Sequence, residues 1–250
     1  MRHRVLSALN HAFALADFEL NRCPRELRRN PQARLEVGVR HAICDAILQS
    51  ASVGRTFEFM QIGAHEAEGD AEPTMLSASF RRRGVLVEPQ PRLASQLRRR
   101  FDSDPGISII ECAVGHASGS ASLFVVDDPD HALPPWLSQV ASFDRAHVEK
   151  FVAQVPSLGN HIRELRVRVE PPEAICQQAA VNQLDLLLVD VEGWDHHVIK
   201  LFPFDRVPVG LVVFEHAHLC RADRRAAVRR LLDLGYRVQV LGRDVIAAKS

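Results

Sequence analysis

The stretch Leu184–Asp195, LDLLLVDVEGWD, decides how this chain is read. Leu184, Leu186, Leu187, Leu188 and Val189 make an almost unbroken apolar run, closed by Asp190. So short a run, apolar with hardly any alternation, is the pattern of a strand covered on both faces. Working outward, VGLVVFE (Val209–Glu215) repeats the pattern downstream. Upstream, FEFMQI (Phe57–Ile62) stops at Gly63, GVLVEP stops at Glu88, and ISIIECAV (Ile107–Val114) supplies a third strand. Ser120–Val126 is expected to pair as a hairpin with what precedes it, and LRVRVE (Leu165–Glu170) is a further strand.

Helical stretches separate these runs: one after Gly63, Gln90–Phe101, one around Ala174–Ala180, and Ala222–Leu234. In the last, Ala226, Ala227, Leu231 and Leu234 form the buried stripe and Gly235 ends the helix. YRVQVL and DVIAAK close the sheet as an antiparallel pair. Strands alternating with helices predict an α/β domain: a mostly parallel, seven-stranded sheet with right-handed crossovers and helices on both faces. Ligands of such sheets sit beyond the carboxyl ends of the strands, at the point where strand order reverses.

The chain has 250 residues, enough for one domain with a full core. Residues 1–52 read as a helical extension, a cap or part of a lid, with apolar positions at helical spacing from Val37 to Leu48. Residues 53–250 form the main domain, and residues 127–164, rich in proline, are expected to be an insertion facing the substrate. Lys and Arg number 31 and Asp and Glu 31, so no nucleic-acid footprint is indicated. The arginine runs at 81–83 and 98–100 suit helix ends. Five scattered cysteines without a Cys-x-x-Cys pair indicate neither a zinc site nor a disulfide framework. The first 20 residues are broken by Asn10, His11, Asp17 and Glu19 before a signal-peptide core forms, and no run long enough to span a membrane occurs. A cytoplasmic enzyme is expected. The sequence sets no oligomeric state.

Chemistry should gather at the strand ends. Gly63 lets the backbone turn sharply and approach a ligand, and N–H groups at a following helix start favour an anion. Glu88 stands 25 positions later, ending the next strand, where a carboxylate accepts hydrogen bonds from both hydroxyls of a ribose. Asp190 and Glu192 point at least one carboxylate into the crevice, and Glu215, His216 and His218 end the neighbouring strand. Together they supply candidate general bases, with Glu192 or His218 foremost. Asp190, Glu215 and His216 are also a conceivable Mg²⁺ ligand set.

These residues lie in stretches that resemble a known family. FEFMQIGAHEAEG (Phe57–Gly69), GVLVEPQP, ECAVG, LDLLLVDVEGWD and VVFEHAHL look like the successive motifs of the FkbM methyltransferases, in order and spacing, from about Phe57 to Ala248. The resemblance implies a Rossmann-like class I methyltransferase fold, S-adenosylmethionine as donor, and O-methylation of a sugar, a glycan or a polyketide-type natural product. Carried onto this sequence, it implies that Gly63 and Ala64 pass under the methionine moiety and Glu88 holds the ribose. Cys112 and Ala113 would flank the adenine, and Asp190 would face the methionine amino group or the reaction centre. Gln61, His65 and Pro89 complete the implied cofactor set. The family loop reads like G-A-N-D-G, whereas this chain has Gly63-Ala64-His65-Glu66-Ala67. Ala67 adds a Cβ where the backbone needs freedom, which keeps a non-catalytic binding or scaffolding relative as the alternative.

A nicotinamide oxidoreductase would share the turn and the ribose acid, but the tight G-x-G-x-x-G is absent: the glycine after Gly63 is Gly69. The acceptor is expected to be a small molecule or glycan, with Trp136, Phe143 and His147 as candidate contacts.

Overall fold

The protein is described here from a computed structural model, over residues 31–65, 81–130 and 132–249. Helix α1 (Pro31–Ser52) precedes β1 (Phe57–Ile62) and β2 (Arg82–Val87), then come α2 (Pro91–Arg100), β3 (Ile107–Ile110), β4 (Ala113–Val114) and β5 (Gly119–Val126). After β6 (Ala141–Ser142) and the short α3 (Arg145–Glu149), β7 (Ile162–Glu170) leads into α4 (Pro172–Gln178), β8 (Leu184–Val189) and α5 (Asp195–Leu201). The chain closes with β9 (Val209–Glu215), α6 (Arg221–Asp233), β10 (Arg237–Leu241) and β11 (Asp244–Ala248).

Seven strands form the main sheet in the order β3-β2-β1-β8-β9-β11-β10. The strands β3, β2, β1, β8 and β9 pair in parallel, and β11 runs antiparallel between β9 and β10. The chain therefore winds outward from β1 in one direction and outward from β8 in the other, so the order reverses between those two strands. A crevice opens beyond their carboxyl ends for that reason.

Both faces are covered, which is why the strands read as continuous apolar runs. On one face Val39, Ile43 and Ile47 of α1, four residues apart, and Leu97 of α2 join Phe57, Phe59, Leu211 and Val213 in one apolar cluster. On the other, Ile175 of α4, Val198 and Ile199 of α5, and Ala227 and Leu231 of α6 pack with Met60, Leu187 and Val212. Helix α1 thus backs the sheet, and none of its described side chains lines the crevice. The helical stretch expected after Gly63, Ala67 within it, and residues 1–30 lie outside the described residues.

Two expectations need correction. Ile107–Val114 is not one strand: Cys112 N–H turns back onto the Ile110 carbonyl (3.2 Å), and the chain leaves the main sheet there. Ala113 and Val114 instead pair in parallel with Val169 and Glu170. In consequence the stretch near Ser120 makes no hairpin with what precedes it. β5 pairs antiparallel with β7, from Gly119 opposite Val169 to Val126 opposite Ile162, within a second sheet ordered β4-β7-β5-β6. Residues 127–161, most of the expected insertion, connect β5 to β7. They carry a small apolar core of their own, built from Leu133, Leu137, Val140, Val148 and Leu158.

Candidate active site

Gly63 follows β1 with a φ of +83°, and a Cβ there would lie 1.8 Å from the Asp190 carbonyl oxygen. The ends of β1 and β8 touch through main chain alone, so no other residue fits. The turn is then laid against β2. Gly63 and Ala64 both donate to the Val87 carbonyl (3.0 and 3.1 Å), and His65 N–H donates to Glu88 Oε2 (2.9 Å). These three N–H groups are used internally, and the helix start expected to favour an anion lies outside the described residues. His65 itself adopts a left-handed φ of +45° and its Nε2 lies 3.2 Å from the Ser138 carbonyl, tying the bend to the insertion. Ala64 is buried in the core beneath the turn, and Gln61 is buried in β1 with no hydrogen-bond partner for Oε1 among the described residues. Neither lines the cavity.

Glu88 caps β2 and is only 3% exposed. Its two oxygens each accept one main-chain N–H, from His65 and Gln90, both at 2.9 Å. Each oxygen retains a lone pair. Burial pushes this carboxyl up to about 7, against the pull of the two N–H groups and of Arg92. Beside it, Pro89, Cys112 and Ala113 line the cavity wall. Burial pushes the Cys112 thiol up to about 11, so it serves as apolar surface rather than as a nucleophile.

Across the cavity the strand ends are crowded with charge. Carboxylate oxygens of Asp190, Glu192 and Glu215 lie within 4.8 Å of one another. Burial, and then the neighbouring acids, push Asp190 and Glu192 each up to about 7. Glu215 is paired with Arg243, whose Nε and Nη2 both stand 2.6 Å from its Oε1. Arg243 Nη2 also lies 3.2 Å from His218 Nε2. A guanidinium only donates, so His218 Nε2 is an acceptor here and its lone pair is engaged. His147, from α3, approaches the same group: its Nε2 is 4.0 Å from Glu192 Oε2 and 3.1 Å from Lys150 Nζ. Burial and the adjacent Lys150 push its imidazole down to about 4.

The loop that presents Glu192 is strained. Glu192 has a φ of +51° and Gly193 one of +96°. Asp195, 1% exposed, accepts the Gly193 N–H at 3.1 Å and holds the pair in this left-handed turn. His216 is placed elsewhere. Its N–H donates to the Arg243 carbonyl (2.8 Å) and its Nε2 sits 3.0 Å from the Gly242 carbonyl, outside the cavity. The expected trio Asp190, Glu215 and His216 is therefore not assembled, because a residue next to a strand end alternates sides with its neighbour. Glu192 takes the third place.

Both halves face one cavity of about 460 Å³, within the size range of small-molecule sites. Trp194 stacks on His197 (centroids 3.7 Å, 14° between planes) with Phe143 edge-on at 5.6 Å. Phe143 and His147 line the cavity; Trp136 does not, and packs edge-on against Phe151 at 42% exposure. Sequence reasoning missed Lys150 and Arg243, which carry no motif. It also passed over Trp194, His196 and His197, whose adjacency to Glu192-Gly193 was a usable signal.

The chain is similar to solved structures at low identity. An FkbM methyltransferase of Methylobacillus flagellatus is 12% identical, with 77% of this chain and 43% of that chain covered and a TM-score of 0.46. A precorrin-6y C5,15-methyltransferase of Geobacter metallireducens is 13% identical over 82% and 86%, with a TM-score of 0.41. Fibrillarin of Aeropyrum pernix, in complex with S-adenosyl-L-methionine, is 11% identical over 84% and 76%, with a TM-score of 0.38. The chain thus spans less than half the length of the first of these. No curated protein matches it. The methyltransferase FkbM domain, by contrast, matches residues 61–238. That span runs from the last turn of β1 into β10 and takes in both halves of the cavity, and on it the chain belongs to the FkbM family of methyltransferases, with their Rossmann-like class I fold.

Proposed function

We propose that this protein transfers a methyl group from S-adenosylmethionine to a hydroxyl oxygen of a sugar, a glycan or a polyketide-type natural product. The observation that carries the reading is Glu88: a buried carboxylate, oriented by two main-chain N–H groups, with one lone pair per oxygen left for a vicinal diol. The surroundings fit the rest of the cofactor. Pro89, Cys112 and Ala113 offer an apolar slot for the base, and the Gly63 bend leaves main chain, not side chain, toward the methionine arm. Asp190 stands at that end to accept from its amino group or to face the reacting atoms.

When bound, the cofactor supplies an electrophilic methyl on a sulfonium. The chain's own residues then align the acceptor and take a proton. Alignment supplies roughly 7–11 kcal/mol in favourable systems and a general base about 10²–10⁴-fold. The Asp190–Glu192 pair is suited to the proton, since burial and mutual repulsion hold both carboxyls at about 7. His218 is less suited, its lone pair being met by Arg243. Trp194, Phe143 and the acids nearby combine ring faces with hydroxyl acceptors, which favours a polyol acceptor. The thiols of Cys112, Cys176 and Cys220 are in keeping with a reducing, cytoplasmic setting.

Titration calorimetry with S-adenosylhomocysteine tests the donor. The unaltered protein should bind it and Glu88→Ala should bind at least about tenfold more weakly. No heat from the unaltered protein, or equal affinity in the variant, would sink the reading. Feeding a ¹³C-methyl donor with an acceptor-containing extract tests the bond formed, since the product carbon must resonate as a methyl ether.

A further inference from the structure

Three groups with metal-binding atoms meet where the acceptor would lie, and they come from three separate segments of the chain. His147 belongs to α3 in the insertion, Glu192 to the β8–α5 loop and His218 to the β9–α6 loop. Their ligand atoms lie within 4.8 Å of one another, with His218 Nε2 3.3 Å and His147 Nε2 4.0 Å from Glu192 Oε2. Two ligands bonded to one ion at about 2.0–2.2 Å stand roughly 3.0–3.4 Å apart at tetrahedral or octahedral angles. The Glu192–His218 pair already has that spacing, His147 stands about half an ångström outside it from Glu192, and the two imidazoles, whose ligand atoms lie within 4.8 Å, close further on binding.

The framework holds this convergence in place. Gly193 lies between the two imidazole residues: a Cβ there would be 3.5 Å from His147 Cε1 and 3.5 Å from His218 Cβ. The left-handed turn of Glu192 and Gly193, fixed by Asp195, swings the Glu192 carboxylate toward both rings. Charge points the same way. Among the described residues, the three carboxylates of Asp190, Glu192 and Glu215 are matched by Arg243 and Lys150, and Arg243 is already committed to Glu215.

We infer that His147, Glu192 and His218 bind a divalent transition-metal ion, of the Mn²⁺, Fe²⁺, Co²⁺ or Zn²⁺ class. Two imidazole nitrogens with one carboxylate suit these ions, whereas Mg²⁺ and Ca²⁺ prefer all-oxygen sites. Loading the ion requires Arg243 to give up its contact to His218 at 3.2 Å while keeping both at 2.6 Å to Glu215. Lys150 draws back from His147. Three protein ligands leave positions open for the acceptor oxygen, as in catalytic rather than structural sites.

The ion's use in catalysis rests on the proposed O-methyl transfer; its binding does not. In that use the hydroxyl oxygen joins the ion and its acidity rises. The O–H bond breaks toward the Asp190 carboxylate, the oxygen's electron pair forms the C–O bond, and the C–S electrons stay on sulfur as a neutral thioether.

The test is Co²⁺ titration of the whole protein, read by visible absorption and by equilibrium dialysis. One equivalent should bind, with ligand-field bands marking nitrogen coordination. His147→Ala, Glu192→Gln and His218→Ala should each weaken it at least about tenfold, while S-adenosylhomocysteine affinity stays within about threefold and reports that each variant is folded. His216→Ala, outside the cluster, should bind Co²⁺ like the parent. Failure of the unaltered protein to bind Co²⁺ at millimolar concentration, or equal binding in all three ligand variants, overturns the site and leaves Lys150 as the cluster's counter-charge. Co²⁺ binding without homocysteine-adduct binding would instead overturn the proposed donor and spare the ion site.

Discussion

At the ends of β1 and β2 the cavity holds one buried carboxylate, Glu88, with both oxygens already steered by main-chain N–H groups. At the ends of β8 and β9 it is lined by Asp190, His147, His218 and Glu192, the last on a left-handed turn, with Glu215, Lys150 and Arg243 packed behind them. The first arrangement is one carboxylate in a fixed orientation and suits recognition of a fixed ligand. The second has several protonation states close in energy, because buried acids that repel one another do not all ionise. Such a site suits chemistry in which a proton must move. On the proposed function, binding and reaction are divided between the two sides of the β1–β8 junction.

The largest test of this division is to neutralise the reactive side alone. Asp190→Asn combined with Glu192→Gln should cut transfer of tritiated methyl groups into an acceptor-containing extract by about 10²–10⁴-fold. S-adenosylhomocysteine affinity should stay within about tenfold. A comparable loss in both would erase the distinction. Next in size is the junction itself. Gly63→Ala drives a Cβ into the Asp190 carbonyl, and strain of about 3 kcal/mol should lower the midpoint of thermal unfolding by roughly 6–12 °C. An unchanged midpoint would mean that the ends of β1 and β8 are not in contact.

On the binding side, Glu88→Gln keeps the shape but loses the charge and one acceptor. Calorimetry should show about 10–100-fold weaker S-adenosylhomocysteine binding, with the reactive cluster untouched. The pH dependence follows from the same residue. Burial raises Glu88 to about 7, so as pH falls below that value the protonated form accumulates and one oxygen becomes a donor, unable to accept from the ribose. Affinity should therefore fall about tenfold between pH 8 and pH 6, with proton release on binding below pH 7, and Glu88→Gln should flatten the slope. An affinity that rises on acidification would contradict this ordering of charges. Smallest of all, Trp136→Ala should change both binding and transfer by less than about threefold, since Trp136 lies outside the cavity.

Much of the fold was legible because parallel strands covered on both faces leave nearly continuous apolar runs, as in Leu184–Val189 and Val209–Phe214. The polar residues that end those runs must then face the crevice, which made Glu88, Asp190 and Glu192 readable as neighbours of a ligand. The second sheet was not legible. Whether Ala113-Val114 continues β3 or departs to pair with Val169-Glu170 is set by hydrogen bonds between segments more than fifty residues apart, and local apolar patterning is the same either way.

The sequence by itself determined the alternation of strands and helices, the glycine bend and the acids at the strand ends, all properties of short range along the chain. Only tertiary structure decided which ionisable groups meet. Arg243 reaches Glu215 because β11 returns antiparallel beside β9, and His147 reaches Glu192 because the insertion folds back across the strand ends. His216, two residues from His218, is turned to the Gly242 carbonyl instead. Charge–charge energies and burial depend on distance through space, and a one-dimensional pattern does not contain that distance.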